Sequence, residues 1–144
     1  MKEYAHRLGL GDIWRHFEGF PLSHFATVED DQPRVRMMAL VAHDRKLWLA
    51  TKTEWDKVEQ IRRNPKAELT VPARDEKGAG CVRVTAVARQ IEDSDIRREV
   101  SGAIPWFSNY WTSSDDANFT LLGLEIQRIL YDHPSDGKKY TVEL

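Results

Sequence analysis

The clearest hydrophobic rhythm in the chain lies at residues 81–93, CVRVTAVARQIED. There Val82, Val84, Ala86 and Ala88 alternate with Arg83, Thr85, Val87 and Arg89. Period-two alternation of this length predicts a strand with one face in the core. Shorter runs recur on both sides. SHFATVE, the polar turn DDQP and PRVRMMALVAH predict a hairpin turning at residues 30–33, and HDRK predicts a second turn into KLWLAT. Three strands so close in sequence predict antiparallel pairing. KAELTVPA, FTLLGLEIQRILYDH and KKYTVEL predict further strands, with the GAG at 78–80 as a hairpin turn.

Helical spacing is confined to short segments. Residues 2–18 present Leu8, Ile13, Trp14 and Phe17, with GLG at 9–11 as a candidate break and Phe20-Pro21 as a stop. Residues 51–69, TKTEWDKVEQIRRNPKAEL, pair Thr53 with Asp56 as a capping-box-like start. Trp55, Val58 and Ile61 then form one stripe before the stop at Asn64-Pro65. Residues 94–103 predict a further short helix, followed by an aromatic loop carrying Trp106, Phe107, Tyr110 and Trp111. The sum is a mainly β chain of six or seven strands with two or three flanking helices, read as one domain over residues 1–144. An antiparallel sheet with no second sheet to pack on is best closed as a barrel. An open sheet with helices on one face is the alternative.

Composition narrows the class. With 144 residues, 41% hydrophobic and 31% charged, the chain suits a soluble globular protein. A formal net charge of −2 argues against a nucleic-acid binder. Cys81 is the single cysteine, so no internal disulfide forms. The first residues lack an apolar signal-peptide run, and no stretch is long enough to span a membrane. The expectation is a cytoplasmic protein.

Candidate chemistry centres on the start of the helix near residue 55. Lys52 and Lys57 stand at the end of a helix where cations are mildly unfavourable. One reading is a solvated charged surface. The other is a phosphate cradled by helix N–H groups, Thr51 or Thr53 hydroxyls and Lys57. Arg34 and Arg36 share one face of a strand expected beside KLWLAT, from which an arginine would add bidentate contacts. No other chemistry is legible: the five histidines show no metal-ligand spacing, and GxSxG is absent. Cys81 reads as a buried strand residue, and the aromatic loop as a hydrophobic plug or dimer contact, or else a lid.

The order FATV, turn, PRVRMMAL, turn, KLWLATKTEWDKVEQIRRNPKAELTV resembles the FMN-binding split β-barrel proteins related to pyridoxamine 5′-phosphate oxidase, in particular the short, general-stress-type members. The likeness rests on Pro33-x-x-Arg36 with its apolar tail, on Trp48-x-x-Thr51, on Lys57 and on Asn64-Pro65. It covers residues 22–93 well and the C-terminal third loosely.

The resemblance implies a homodimer with FMN at the subunit interface. Arg36 and Lys57 would hold the phosphate, with Thr51 and Lys52 contributing, and the backbone at Met37 and Met38 would run beside the isoalloxazine ring. Trp55 stands where the family usually has Ser, and Asp56 where the oxidases carry a basic residue. In the later strand the oxidases show Gln at the place of Cys81 and Gly at that of Ala86. Their substrate-binding set has no match here, so the expectation is not a pyridoxamine-phosphate oxidase itself. It is an FMN-dependent oxidoreductase-type protein acting on a small molecule, with a nicotinamide cofactor as candidate electron donor and no catalytic acid or base identified. A flavin or haem carrier, or a cofactor-free interaction module, is the alternative.

Overall fold

The computed structural model describes residues 10–143. Eight strands form one antiparallel sheet: β1 (Leu22–Glu29), β2 (Gln32–Ala39), β3 (Val41–His43), β4 (Lys46–Lys52), β5 (Lys66–Arg74), β6 (Ala79–Gln90), β7 (Phe119–Asp132) and β8 (Lys139–Glu143). Among the described residues a helical stretch at 10–14 and the α-helices α1 (Asp56–Arg63) and α2 (Ser94–Gly102) lie outside it. The order across the sheet is β2-β1-β5-β6-β7-β4-β3, with β8 also paired to β7. The first and last strands of that path are consecutive in the chain, separated by Leu40 alone. The sheet must therefore curl until its ends approach, which makes it a split barrel. Its interior confirms the curl: Phe25, Leu49, Leu69, Val84, Leu122 and Tyr131, drawn from five strands, belong to one buried cluster.

The eighth strand arises because PRVRMMALVAH is two strands rather than one. Leu40 is fully buried and donates its N–H to the carbonyl of Pro21 (2.8 Å), outside the ladder of either neighbour. Expected pairing also needs one correction. β2 does not lie beside KLWLAT; it pairs with β1, while β4 pairs with β3 and β7. β6 and β7 are long enough to bend, and their register shifts between Thr85 and Ala86, the mark of a bulge that re-aims a strand.

β4 is buried on both sides. Leu47 and Leu49 face the barrel interior, whereas Trp48 joins a second cluster with Val41, Val100, Ile104, Trp111, Phe119 and Leu121. Trp106 and Phe107 pack against that cluster, so most of the aromatic loop is the expected plug. Its start is fixed by α2, whose N-cap is Asp93, accepting from the N–H groups of Asp95 and Ile96.

Of the expected helix over residues 2–18, residues 1–9 lie outside the described residues, and residues 10–14 are helical despite Gly11. The turn Arg15–Phe17 follows, and Ile13 and Phe17 plug the barrel core. Beside them His16 Nε2 lies 3.0 Å from the Tyr131 hydroxyl. Burial, aided by the Arg15 charge, holds this imidazole below the ordinary histidine range. A base depressed by folding contributes stability that is complete above its unfolded value and is lost as pH falls through its folded one. The urea midpoint should therefore drop on acidification below about pH 6.5. His16→Gln, which keeps a partner for Tyr131, should flatten that drop; identical slopes for the two proteins would assign the titration elsewhere.

Among the described residues no helix is long and apolar enough to cross a membrane.

Candidate functional site

α1 carries the site, and its buried face differs from the predicted stripe. Val58 and Ile61 are buried as expected, but Lys57 and Gln60 are buried with them, while Trp55 is exposed. Trp55, not Thr53, is the N-cap, and no side chain caps the helix. Thr53 instead donates its hydroxyl to the Ala117 carbonyl (3.0 Å) and its N–H to Asn118. Uncapped first-turn N–H groups stay available to an anion.

Burying Lys57 turns its ammonium inward. Nζ donates to Thr51 Oγ1 at the end of β4 (3.1 Å) and lies 4.4 Å from the centroid of the Trp55 ring. Arg36 approaches from the opposite side. It sits across from Phe25 on the inner face of the β1–β2 pair, so its guanidinium points towards α1 rather than to solvent. Nη2 donates to Gln60 Oε1 (2.8 Å), and Nη1 to Thr27 Oγ1 (2.9 Å) and the Phe25 carbonyl (3.2 Å). Thr27 in turn donates to Gln60 Oε1 (2.6 Å), and Gln60 Nε2 donates to Glu29 Oε2 (3.3 Å). Gln60 therefore locks the arginine to the helix. Thr27, Glu29 and Gln60 escaped the sequence reading, although Gln60 lies one helical turn beyond Lys57 on the same face.

Arg36, Lys57, Trp55, Asp56 and Gln60 line an open pocket of about 600 Å³. Arg34 and the carboxylates Glu29 and Glu54 line it too, and within it Arg36 and Lys57 are two cations brought together. Burial lowers the Arg36 guanidinium from its ordinary range, partly offset by Asp56. Burial also lowers the Lys57 ammonium, the charge on Arg36 lowers it further, and Asp56 opposes both. An added anion would relieve desolvation and mutual repulsion together. A planar guanidinium, an ammonium and helix N–H groups form a donor set that fits a phosphate, whereas Thr51 is fully buried and reaches the pocket only through Lys57.

The remaining expected residues divide. Lys52 does not line this pocket; its Nζ lies 5.6 Å from the Trp55 ring centroid and 5.9 Å from that of Tyr110. Met38 points into the core, and Met37 projects outward beside Val35 and Leu22 as an exposed apolar face. Among the described residues β2 has β1 as its one ladder partner, so its other edge presents free backbone groups. Cys81 is half-buried rather than fully buried, and pairs with Pro72 and Asp132 away from the pocket.

The sequence profile of the family described as pyridoxamine 5′-phosphate oxidase matches residues 14–132. No curated protein matches the sequence. Solved structures share the fold at low identity. General stress protein 26 from Bacillus anthracis superposes with a TM-score of 0.74 at 20% identity, over 93% of this chain and 97% of that one. A NimC/NimA family protein from Clostridium acetobutylicum gives 0.76 at 22% identity, over the full length of both. A heme binding protein from Mycobacterium smegmatis gives 0.71 at 15% identity, over 86% of this chain and 53% of that one.

Proposed function

Because the chain belongs to the pyridoxamine 5′-phosphate oxidase family, we propose that it is an FMN-binding, oxidoreductase-type protein of the cytoplasm. The reading is carried by one observation: Arg36 and Lys57 converge, partly desolvated, on a single pocket. Arg36 and Lys57 hold the flavin phosphate, Thr51 orients the Lys57 ammonium, and Gln60 orients Arg36. The open edge of β2 at Met37 and Met38 supplies backbone donors and acceptors to the ring. The exposed Leu22, Val35 and Met37 supply the apolar face on which a second copy closes the site, giving a homodimer. When bound, the flavin supplies the redox chemistry, and the protein binds, orients and tunes it. The substrate is a small molecule reaching the ring, with NADH or NADPH as electron donor.

Haem is the less suited cofactor. The pocket-lining residues include no His, Cys, Tyr or Met to ligate iron. The visible spectrum of the purified protein tests the proposal directly. Flavin absorption should co-purify, or return on adding FMN at micromolar concentration; a colourless protein that takes up no FMN ends it. Anaerobic reduction of the bound flavin by NADH or NADPH then marks an oxidoreductase, and no reduction by either marks a carrier.

A further inference from the structure

A further open cavity, of about 470 Å³, shares no lining residue with the pocket at α1. It is bounded by β4, β7 and the end of β6, with the first turn of α2 at its side. Its floor is apolar for a local reason. Gly123 has no side chain, so Ile91 and the Trp48 ring lie down over β7. A Cβ at Gly123 would stand 3.0 Å from Ile91 Cδ1 and 3.4 Å from Trp48 Cζ3. The Trp48 indole N–H is taken up by the His43 carbonyl (3.0 Å), so the indole turns only carbon to the cavity. Leu124 and Ile126 extend the lining, and Ile96 of α2, 37% exposed, forms one wall.

The rim carries charge, and its balance is positive. Arg89 and Glu125 neutralise each other as an ion pair (3.0 Å). Arg45 and Lys46 also line the cavity, and among the described residues neither makes an ion pair. Arg45 holds its place against a backbone preference. His43 pairs with Lys46, which leaves Asp44 and Arg45 as a two-residue turn, both in left-handed backbone with φ of 54° and 56°. Tight hairpin turns take that conformation, and glycine is the usual second residue. A side chain there is sterically disfavoured. Strain held at the mouth of a cavity points to a side chain kept for what it binds.

We infer that this cavity binds a medium-chain aliphatic carboxylate, its chain laid on Trp48, Ile91 and Ile96 and its carboxylate met by Arg45 and Lys46. A volume of this size suits a small ligand, and an apolar floor with a few polar groups at its edge suits an amphipathic one. The two unpaired cations select an anion over a neutral headgroup. An aliphatic body fits better than an aromatic one, because the one ring in the lining, Trp48, is 6% exposed and offers little face for stacking. The site is independent of the flavin reading.

Titration of the full chain with octanoate and with 1-octanol, by calorimetry, tests it. Octanoate should saturate one site with a Kd on the order of 0.1–1 mM. It should bind about fivefold more tightly than octanol, and high salt should narrow that gap. Arg45→Gly should bring octanoate down to the octanol level, change octanol by less than about twofold, and keep or raise Tm, since glycine suits the turn. Ile96→Glu places a carboxylate on the wall, at the third residue of α2, where Glu favours the helix start. It should fold normally and weaken both ligands, octanoate more. No saturable octanoate binding, equal affinity for the two ligands, or a lowered Tm with octanoate affinity unchanged in Arg45→Gly would overturn the site. A change of oligomeric state in Ile96→Glu by size-exclusion chromatography would also overturn it, by making this face an interface between copies.

Discussion

FMN affinity is expected to fall by roughly ten- to hundredfold when either Arg36 or Lys57 is replaced by methionine, with riboflavin affinity changing by less than about twofold. The asymmetry follows from position. Both cations lie in the pocket at the start of α1, and neither is needed to pack the apolar faces around it. Methionine keeps the volume of each buried stem, so the loss reports charge rather than a cavity. Equal losses for the two flavins would move the phosphate elsewhere.

pH supplies a second readout of the same pair. The Lys57 ammonium is lowered by burial and then by Arg36, so it sheds its proton earlier on the alkaline side than an ordinary lysine. An anion favours the protonated form, so FMN affinity should decline as pH rises through that lowered value. Lys57→Met should abolish the alkaline decline. Arg36→Met should shift it to higher pH, because one cause of the depression is gone.

A second large effect concerns stability. Gly80→Ala should destabilise the fold by about 3 kcal/mol and lower Tm by on the order of 10 °C. An added Cβ at Gly80 would stand 1.9 Å from the Asp132 carbonyl oxygen and 2.9 Å from its carbon, and backbone atoms cannot swing aside as a side chain does. The ladder there is tight, with Cys81 paired to Asp132, so β6 and β7 would have to part at the end of the barrel. Gly102→Ala is the matched comparison. Nothing lies within 4 Å of that added Cβ, at the end of α2, and the substitution should be neutral or mildly stabilising. Thermal melts of the two variants that coincide with wild type would disprove the close approach at Gly80.

How much of this was legible in the chain depended on locality. The alternation over residues 81–93 identified β6 because one face of a strand repeats its burial every second residue. The hairpin at residues 30–33 was legible for the same reason, joined to a polar turn in which Asp30 and Asp31 adopt left-handed backbone. The place of β2 in the sheet was not legible. Closeness in sequence favours pairing with the next strand, yet here the next strand lies at the opposite end of the sheet. The site was half legible. Lys57 and Thr51 are six residues apart, and local spacing brings them together. Arg36 reaches them only through Gln60 and Thr27, a long-range contact with no sequence signature. Trp55 was placed on a buried stripe by helical spacing alone; it falls before the first helical residue, where that spacing no longer governs direction.

The single residue between β2 and β3 also governs how the chain is assembled. The first two hairpins, β1–β2 and β3–β4, are complete by Lys52, yet β5, β6 and β7 must enter between them. The last of these seams joins Lys52 to Phe119. During synthesis the early hairpins therefore wait with unpaired strand edges until most of the polypeptide has emerged. Such non-local closure makes folding slow and strongly cooperative. A fragment ending before β7 is not a smaller stable version of this barrel but an unclosed sheet with edges open to other chains.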